Sequence, residues 1–288
     1  MQTNSNTSGQ NGKGDSPRPV KKSVYDKNYD NINWGKNQKE EMKRTLIISD
    51  IHLRWKLVDN IIKEESPDQI IFLGDYFDDF GDTAERNLVM AEWLVKSIEQ
   101  PNRIHLMGNH DIMYGTRDRN YRCSGYTPDK EYLINTVMTR DHWKKIKMYH
   151  WLDDILCSHA GVHRYFHNKN NVDGRDLKTW LEQDAKLALR NAFERREQMH
   201  EMFHAGYSRG GINKHGGIVW CDFDEFEGIP GVKQIFGHTP QQTPTWKNYT
   251  EDGLISENLC LDTHNRDYAI YTNGNLEIKS SIDISRWK

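Results

Sequence analysis

Five apolar runs in this chain stop abruptly on the same few chemical groups, and that repetition restricts the fold more than any other feature. They are "RTLIISDIH", "QIIFLGDYFDD", "RIHLMGNHD", "DILCSHAG" and "VKQIFGHTP". Short, nearly continuous apolar runs of this kind read as strands buried on both faces. Their ends bring Asp50 and His52, then Asp75 and Asp78, then Asn109, His110 and Asp111, then His159, then His238. In α/β proteins ligands gather beyond the carboxyl ends of strands. Any one of these ends is explained by a capped turn, but imidazole recurs in four of the five, and histidine is neither a favoured cap nor a turn former.

The segments between the runs fit an α/β chain. "RTLIIS", a helix with Trp55, Val58, Ile61 and Ile62 on one face, and "QIIFLGD" form a βαβ unit. A second helix spans "GDTAERNLVMAEWLVKSIEQP", with Ala84, Leu88, Ala91, Val95 and Ile98 at helical spacing, Asp82 and Glu85 at capping-box spacing, and Pro101 as its stop. Strands dominate the second half, where "DYAIYTNG" and "NLEIKS" meet at an Asn273-Gly274 hairpin turn. One long helical pattern, from Asp176 to about His204, interrupts them. Residues 1–43 carry almost no apolar side chain and read as a disordered N-terminal tail, leaving 44–288 as the folded domain with a helical elaboration at about 163–218.

Composition narrows the partners. With 39 Lys and Arg against 42 Asp and Glu, a net charge of -3 offers no general basic field for nucleic acid or anionic membrane. The four cysteines, Cys123, Cys157, Cys221 and Cys260, contain no CxxC pair and read as reduced. No stretch reaches the ~20 apolar residues of a membrane helix, and no signal core opens the chain, so a cytoplasmic location is expected. Carboxylates, imidazoles and a carboxamide suit Mn, Fe, Zn or Ni. They exceed what one tetrahedral ion needs, and two ions sharing one carboxylate, about 3.5 to 4 Å apart, would use them.

The ordered set Asp50-x-His52, Gly74-Asp75-x-x-Asp78, Gly108-Asn109-His110-Asp111, Ser158-His159-Ala160-Gly161 and Gly237-His238-Thr239 resembles the calcineurin-like metallophosphoesterases. The likeness runs from about Arg44 to Thr263 and is greatest to the serine/threonine phosphoprotein phosphatase branch with its bacterial and phage members. It implies a four-layer α/β/β/α sandwich and two divalent ions, manganese first, with Asp50 and His52 on one, Asn109, His159 and His238 on the other, and Asp75 between them. It implies that His110, held by Asp78, protonates the leaving oxygen after attack by a metal-bridged hydroxide. Pro240 stands where many diesterases carry a second histidine, which favours a phosphomonoesterase acting on a phosphoprotein or small phosphoester. The alternatives are a phosphodiesterase or nucleotide hydrolase and, further off, an inactive scaffold.

Three departures from that branch matter. Asp79 and Phe80 replace its arginine and glycine, Asp222 stands where bacterial members often have arginine, and Leu53 replaces a glycine and is expected to narrow the mouth. The loop "RDRNYR" follows the third motif, so Arg117, Arg119 and Arg122 are the sequence's candidates for substrate binding, with Arg164 behind them.

Overall fold

The computed structural model describes residues 43–116, 118–172, 176–195 and 198–282. The tail read from residues 1–43 falls, but for Lys43, outside them. Two five-stranded sheets carry the fold. The first is built from β1 (Arg44–Ile48), β2 (Gln69–Phe72), β3 (Arg103–His105), β11 (Asp267–Thr272) and β12 (Asn275–Ser280), in the order β12-β11-β1-β2-β3. The second uses β4 (Tyr149–Leu152), β5 (Ile155–Ser158), β6 (Lys233–Phe236), β7 (Thr245–Trp246) and β10 (Asn258–Cys260), in the order β4-β5-β6-β10-β7. A small pair, β8 (Tyr249–Glu251) and β9 (Leu254–Ser256), stands apart. The strands β1, β2 and β3 are parallel, as are β5, β6 and β10, and antiparallel strands flank both sets.

Alternation along the strands makes the layers. Ile47, Ile71 and Leu73 from the first sheet meet Ile155, Cys157, Ile235 and Leu259 from the second in one buried cluster, which is the seam between the sheets. Their neighbours Leu46, Ile48, Ile70 and Phe72 face the other way, into a cluster with Val58 and Ile61 of α1 (Trp55–Glu65) and Met90 and Leu94 of α2 (Ala84–Ile98). On the outer face of the second sheet, Phe236 and Cys260 pack with Ala160, Cys221 and Phe226. Two helices of the elaboration lie on that side, α6 (Arg164–Val172) and α7 (Leu177–Arg190), and Lys178 stands 4.9 Å over the Trp151 ring of β4. The result is the α/β/β/α sandwich that the motifs implied. Three further helices, α3 (Asn109–Thr116), α4 (Pro128–Val137) and α5 (Arg140–Lys145), follow β3.

Three local expectations change. Helix α2 is capped by Thr83, whose side chain accepts from the Arg86 N–H, and its buried face runs through Asn87, Met90, Ala91 and Leu94. Asn87 belongs inside because it accepts from the Asp78 N–H at 3.0 Å and donates to Asp82 at 2.5 Å, which rotates the Leu88 and Val95 stripe to half-buried positions. The long pattern from Asp176 ends as an α-helix at Arg190, passes through a π turn (Asn191–Arg195), and reaches the 199–213 region as short turns. Leu53 does not narrow any mouth, because its side chain is buried in the core. The Asn273-Gly274 hairpin forms as read, with positive φ of 47° and 86°. All four cysteines are free. No described helix is long and apolar enough to cross a membrane.

Candidate metal centre and active site

The chain turns sharply where β1, β2 and β6 end, and the cost is visible in the backbone. Asp50, His52, Asp75, Asp78 and His238 all have positive φ, between 40° and 72°. A non-glycine residue held there costs on the order of 1–3 kcal/mol, which surrounding contacts must offset. Asp111 supplies much of that offset. Its carboxylate is fully buried and accepts the N–H groups of Asp75, Tyr76 and Gly108 at 2.8, 2.9 and 2.8 Å, fastening the β2 turn to the β3 turn. Gly108 is glycine for closeness and not for φ, since a Cβ there would collide with Asp75. Gly237 meets the same constraint from Ser49 and Asp50. Asp50 accepts the His238 N–H at 3.1 Å, so the first and second sheets are joined at their carboxyl edges.

These turns bring the motif side chains together. Donor atoms of Asp50, His52 and Asp75 fall within 4.8 Å of one another, as do those of Asp75, His159 and His238, so Asp75 belongs to both groups. Asn109 Oδ1 lies 3.0 Å from His159 Nε2. Two histidines are aimed by main-chain carbonyls: His159 Nδ1 donates to Leu73 O at 2.9 Å, and His52 Nδ1 to Asp78 O at 2.7 Å. That fixes a lone pair on each Nε2, and these lie 3.4 and 3.6 Å from Asp75 Oδ2.

A cation fits this set better than protons do. His159 Nε2 and His238 Nδ1 face each other at 3.2 Å, and His238 Nε2 is buried without a hydrogen-bond partner. Burial raises the Asp50 carboxyl above its usual range despite the attraction of His159. Burial and the charge of His159 hold His238 well below the usual imidazole value. Asp75 pulls the other way, because the imidazoles of His159, His110 and His52 outweigh its burial and hold it low. Once deprotonated, imidazoles and carboxylates gathered at this spacing are the donor chemistry of a borderline divalent ion.

His110 is arranged differently. Its Nδ1 donates to Asp78 Oδ2 at 2.9 Å, its ring stands edge-on to His52 at 5.3 Å, and it lines the cavity. Burial opposes its protonation, but Asp75 and Asp78 raise it well above the usual value. Asp78 is itself held by side chains outside the five motifs: Tyr114 Oη donates to its Oδ1 at 2.7 Å and Lys130 Nζ at 2.8 Å. Lys130 also meets Asp82 at 2.7 Å and is almost wholly buried.

All of this opens into a cavity of about 610 Å³. Its wall includes His52, Asp75, Asp78, Asn109, His110 and His238, together with Arg54, Arg209, Trp220, Asp262 and His264, which the motifs do not mark. Arg54 lies 3.6 Å from Asp79, and Arg209 Nε 2.6 Å from Asp222. The two acidic residues that depart from the branch pattern therefore each hold an arginine from elsewhere in the chain. Asp262 is buried, and burial together with Asp50 pushes it up to about 7. Of the loop arginines, Arg122 stacks on Tyr126 at 4.0 Å, pairs with Glu131 at 3.7 Å and lines a neighbouring cavity. Arg119 is exposed, and Arg117 lies outside the described residues. Arg164 is engaged with Glu227 and Glu251.

The sequence matches the calcineurin-like phosphoesterase family model over residues 43–242. The chain belongs to the calcineurin-like phosphoesterases. It is therefore a phosphoric ester hydrolase of a family that uses divalent metal ions and phosphorylated substrates. Among solved structures this calcineurin-like phosphoesterase is similar to a cold-active protein tyrosine phosphatase of a psychrophilic Shewanella species. That match has 15% identity and a TM-score of 0.55, covering 83% of this chain and 78% of the other. It is also similar to a second structure of a cold-active protein tyrosine phosphatase, at 16% identity and a TM-score of 0.51, covering 82% and 78%. These likenesses are of fold. No curated protein matches by sequence.

Proposed function

We propose that this calcineurin-like phosphoesterase is a dinuclear phosphomonoesterase of the phosphoprotein phosphatase type. Asp50 and His52 would hold one ion, Asn109, His159 and His238 the other, and Asp75 would serve both. The observation that carries the reading is that two clusters of donor atoms share Asp75, with His110 beside them, tied by Nδ1 to Asp78. Two divalent ions held there, manganese first among Mn, Fe, Zn and Ni, would supply charge neutralisation at phosphorus and acidify a water for attack. His110 gives its proton to the departing oxygen, and Asp78 keeps the ring oriented for that transfer. Arg54 and Arg209 meet the outward phosphoryl oxygens through charge-assisted hydrogen bonds. Arg122 lines the neighbouring cavity, and with Arg117 and Arg119 it completes the set of loop arginines available for substrate binding. Residues 163–218 form the elaboration that shapes access, and the expected location is the cytoplasm.

A panel of monoesters, dinucleotides and nucleotide diesters, assayed with metal-loaded protein, tests the proposal. Monoesters are turned over with the highest kcat/KM. A diester preference would transfer the site to the phosphodiesterase reading, and full activity after exhaustive chelation would remove the dinuclear one.

A further inference from the structure

Beside the metal cavity lies a second one of about 600 Å³, and the two share Ser124, Arg209 and Trp220 in their walls. A volume of this order accepts a small organic molecule. Its walls come from the turn at 120–124 and from residues 199–213 of the elaboration. Tyr121 and Phe203 form an almost wholly buried edge-to-face pair at 5.4 Å, and Trp220 adds a third ring at the junction. No carboxylate lines the space, whereas Arg122 and Arg209 do. The Tyr121 hydroxyl, in a residue only 5% exposed, has no hydrogen-bond partner. An unpaired buried hydroxyl is destabilising, and because Tyr121 belongs to the cavity wall an acceptor bound there would relieve that cost. Burial and Asp118 push that hydroxyl up to about 12, so it remains a donor at any working pH.

Hydrolysis breaks the bond between phosphorus and the leaving oxygen, which takes a proton, while water provides the new oxygen on phosphorus. With the phosphoryl group over the donor cluster, the organic part must extend along the cavity wall, and Arg209 and Trp220 mark where the wall continues into the second space. We propose that this second cavity receives the leaving group, and that it selects a phosphomonoester whose alcohol carries an aromatic or heteroaromatic ring, a hydrogen-bond acceptor for Tyr121, and no cationic group. The assignment rests on the phosphomonoesterase reading and specifies its substrate class. A serine-sized alcohol would leave the three rings unused, and an amine would find no carboxylate in the wall to pair with, since Glu131 and Asp222 lie outside it and already engage Arg122 and Arg209. Nucleotides and phosphotyrosyl peptides both carry the required chemistry.

Two matched pairs test it, because within each the leaving oxygen is the same kind of primary alkoxide: a nucleoside 5′-monophosphate against ribose 5-phosphate, and 2-phenylethyl phosphate against ethyl phosphate. The ring-bearing member is expected to have a kcat/KM at least about tenfold higher in one pair or both, which a ring buried in a preformed site readily supplies. A preference in the nucleotide pair alone identifies a nucleotide. A preference in the phenyl pair, together with turnover of a phosphotyrosyl peptide, identifies an aryl phosphate. Tyr121→Phe should retain metal content and thermal stability while the nucleotide-to-ribose-phosphate ratio falls about fivefold, the worth of one hydrogen bond. Equal kcat/KM within both pairs would overturn the subsite and leave the monoesterase reading standing. Failure of metal-loaded protein to hydrolyse any of the four would overturn both.

Discussion

Lys130→Met is the substitution whose consequences the structure specifies most fully. The Lys130 ammonium is buried, and it contacts Asp78 Oδ1 at 2.8 Å, Asp82 Oδ1 at 2.7 Å and Gly125 O at 2.8 Å. Burial alone would lower its pKa, but its bonds to Asp78 and Asp82 outweigh that and hold it above the usual value. Methionine fills a similar space and leaves two sheltered carboxylates without their cation. Breaking one side of a buried pair costs about 3–5 kcal/mol. At ~2–4 °C per kcal/mol for a domain of this size, the melting temperature falls by roughly 6–20 °C. A second effect reaches the chemistry. Asp78 also binds His110 Nδ1 at 2.9 Å, so removing the nearby cation strengthens the carboxylate's hold on the imidazolium. The alkaline limb of kcat/KM then moves to higher pH, by on the order of one unit. Urea unfolding and a pH–rate profile measure the two effects separately. The double variant Lys130→Met with Asp82→Asn removes one stranded charge and should recover part of the stability while retaining a smaller part of the limb shift, because the lost anion offsets some of the lost cation. A loss below about 1 kcal/mol, or an unmoved limb in both variants, would refute the reasoning.

Four further outcomes follow from the site. Asp75→Asn should lose most of both ions and activity, read by elemental analysis, because its carboxylate belongs to both donor groups; retention of both ions would remove it from the bridging position. His110→Asn should keep its ions and lose about 10²- to 10⁴-fold in rate on alkyl phosphates but less on nitrophenyl phosphate, since a general acid matters most for poor leaving groups. Arg54→Ala and Arg209→Ala should each raise the inhibition constant of inorganic phosphate by about tenfold with metal content intact, as expected for loss of a charge-assisted hydrogen bond; unchanged inhibition by both variants would take the arginines out of phosphate binding. His105 is held at about 3 by burial, against 6.5 when unperturbed, while its ring nitrogens bond Ser97 and Tyr76. Its folded pKa is the lower one, so its contribution is complete above pH 6.5 and is lost as pH falls towards 3. That loss is about 2 kcal/mol at pH 5, and His105→Gln should flatten the slope in urea titrations.

The parts of this protein that were legible in its sequence are those whose cause is local. An apolar run followed by glycine and a polar or charged group is a complete statement within a few residues, which is why the strands and the candidate residues at their ends could be read before any contact was known. The Asn273-Gly274 hairpin is local in the same sense, because two residues that tolerate positive φ suffice to close it. Helix α2 was half legible. Its spacing marked an amphipathic helix, but which side faced inward depended on Asn87 meeting Asp78 and Asp82.

Short-range patterning and side-chain chemistry decided the inventory of candidate donors, its order along the chain and the α/β class, and these could be read locally. Tertiary structure alone decided which groups surround those candidate donors. Lys130 reaches Asp78 across 52 positions, and His238 reaches Asp50 across 188. Arg54 and Arg209 look like ordinary surface cations until folding sets them against Asp79 and Asp222. Tyr121 becomes a free donor only because packing with Phe203 buries it beside a cavity. Charges and hydrogen-bonding groups carry no record of their partners in local sequence, and their energies depend on distance and burial, which exist only once the layers have closed.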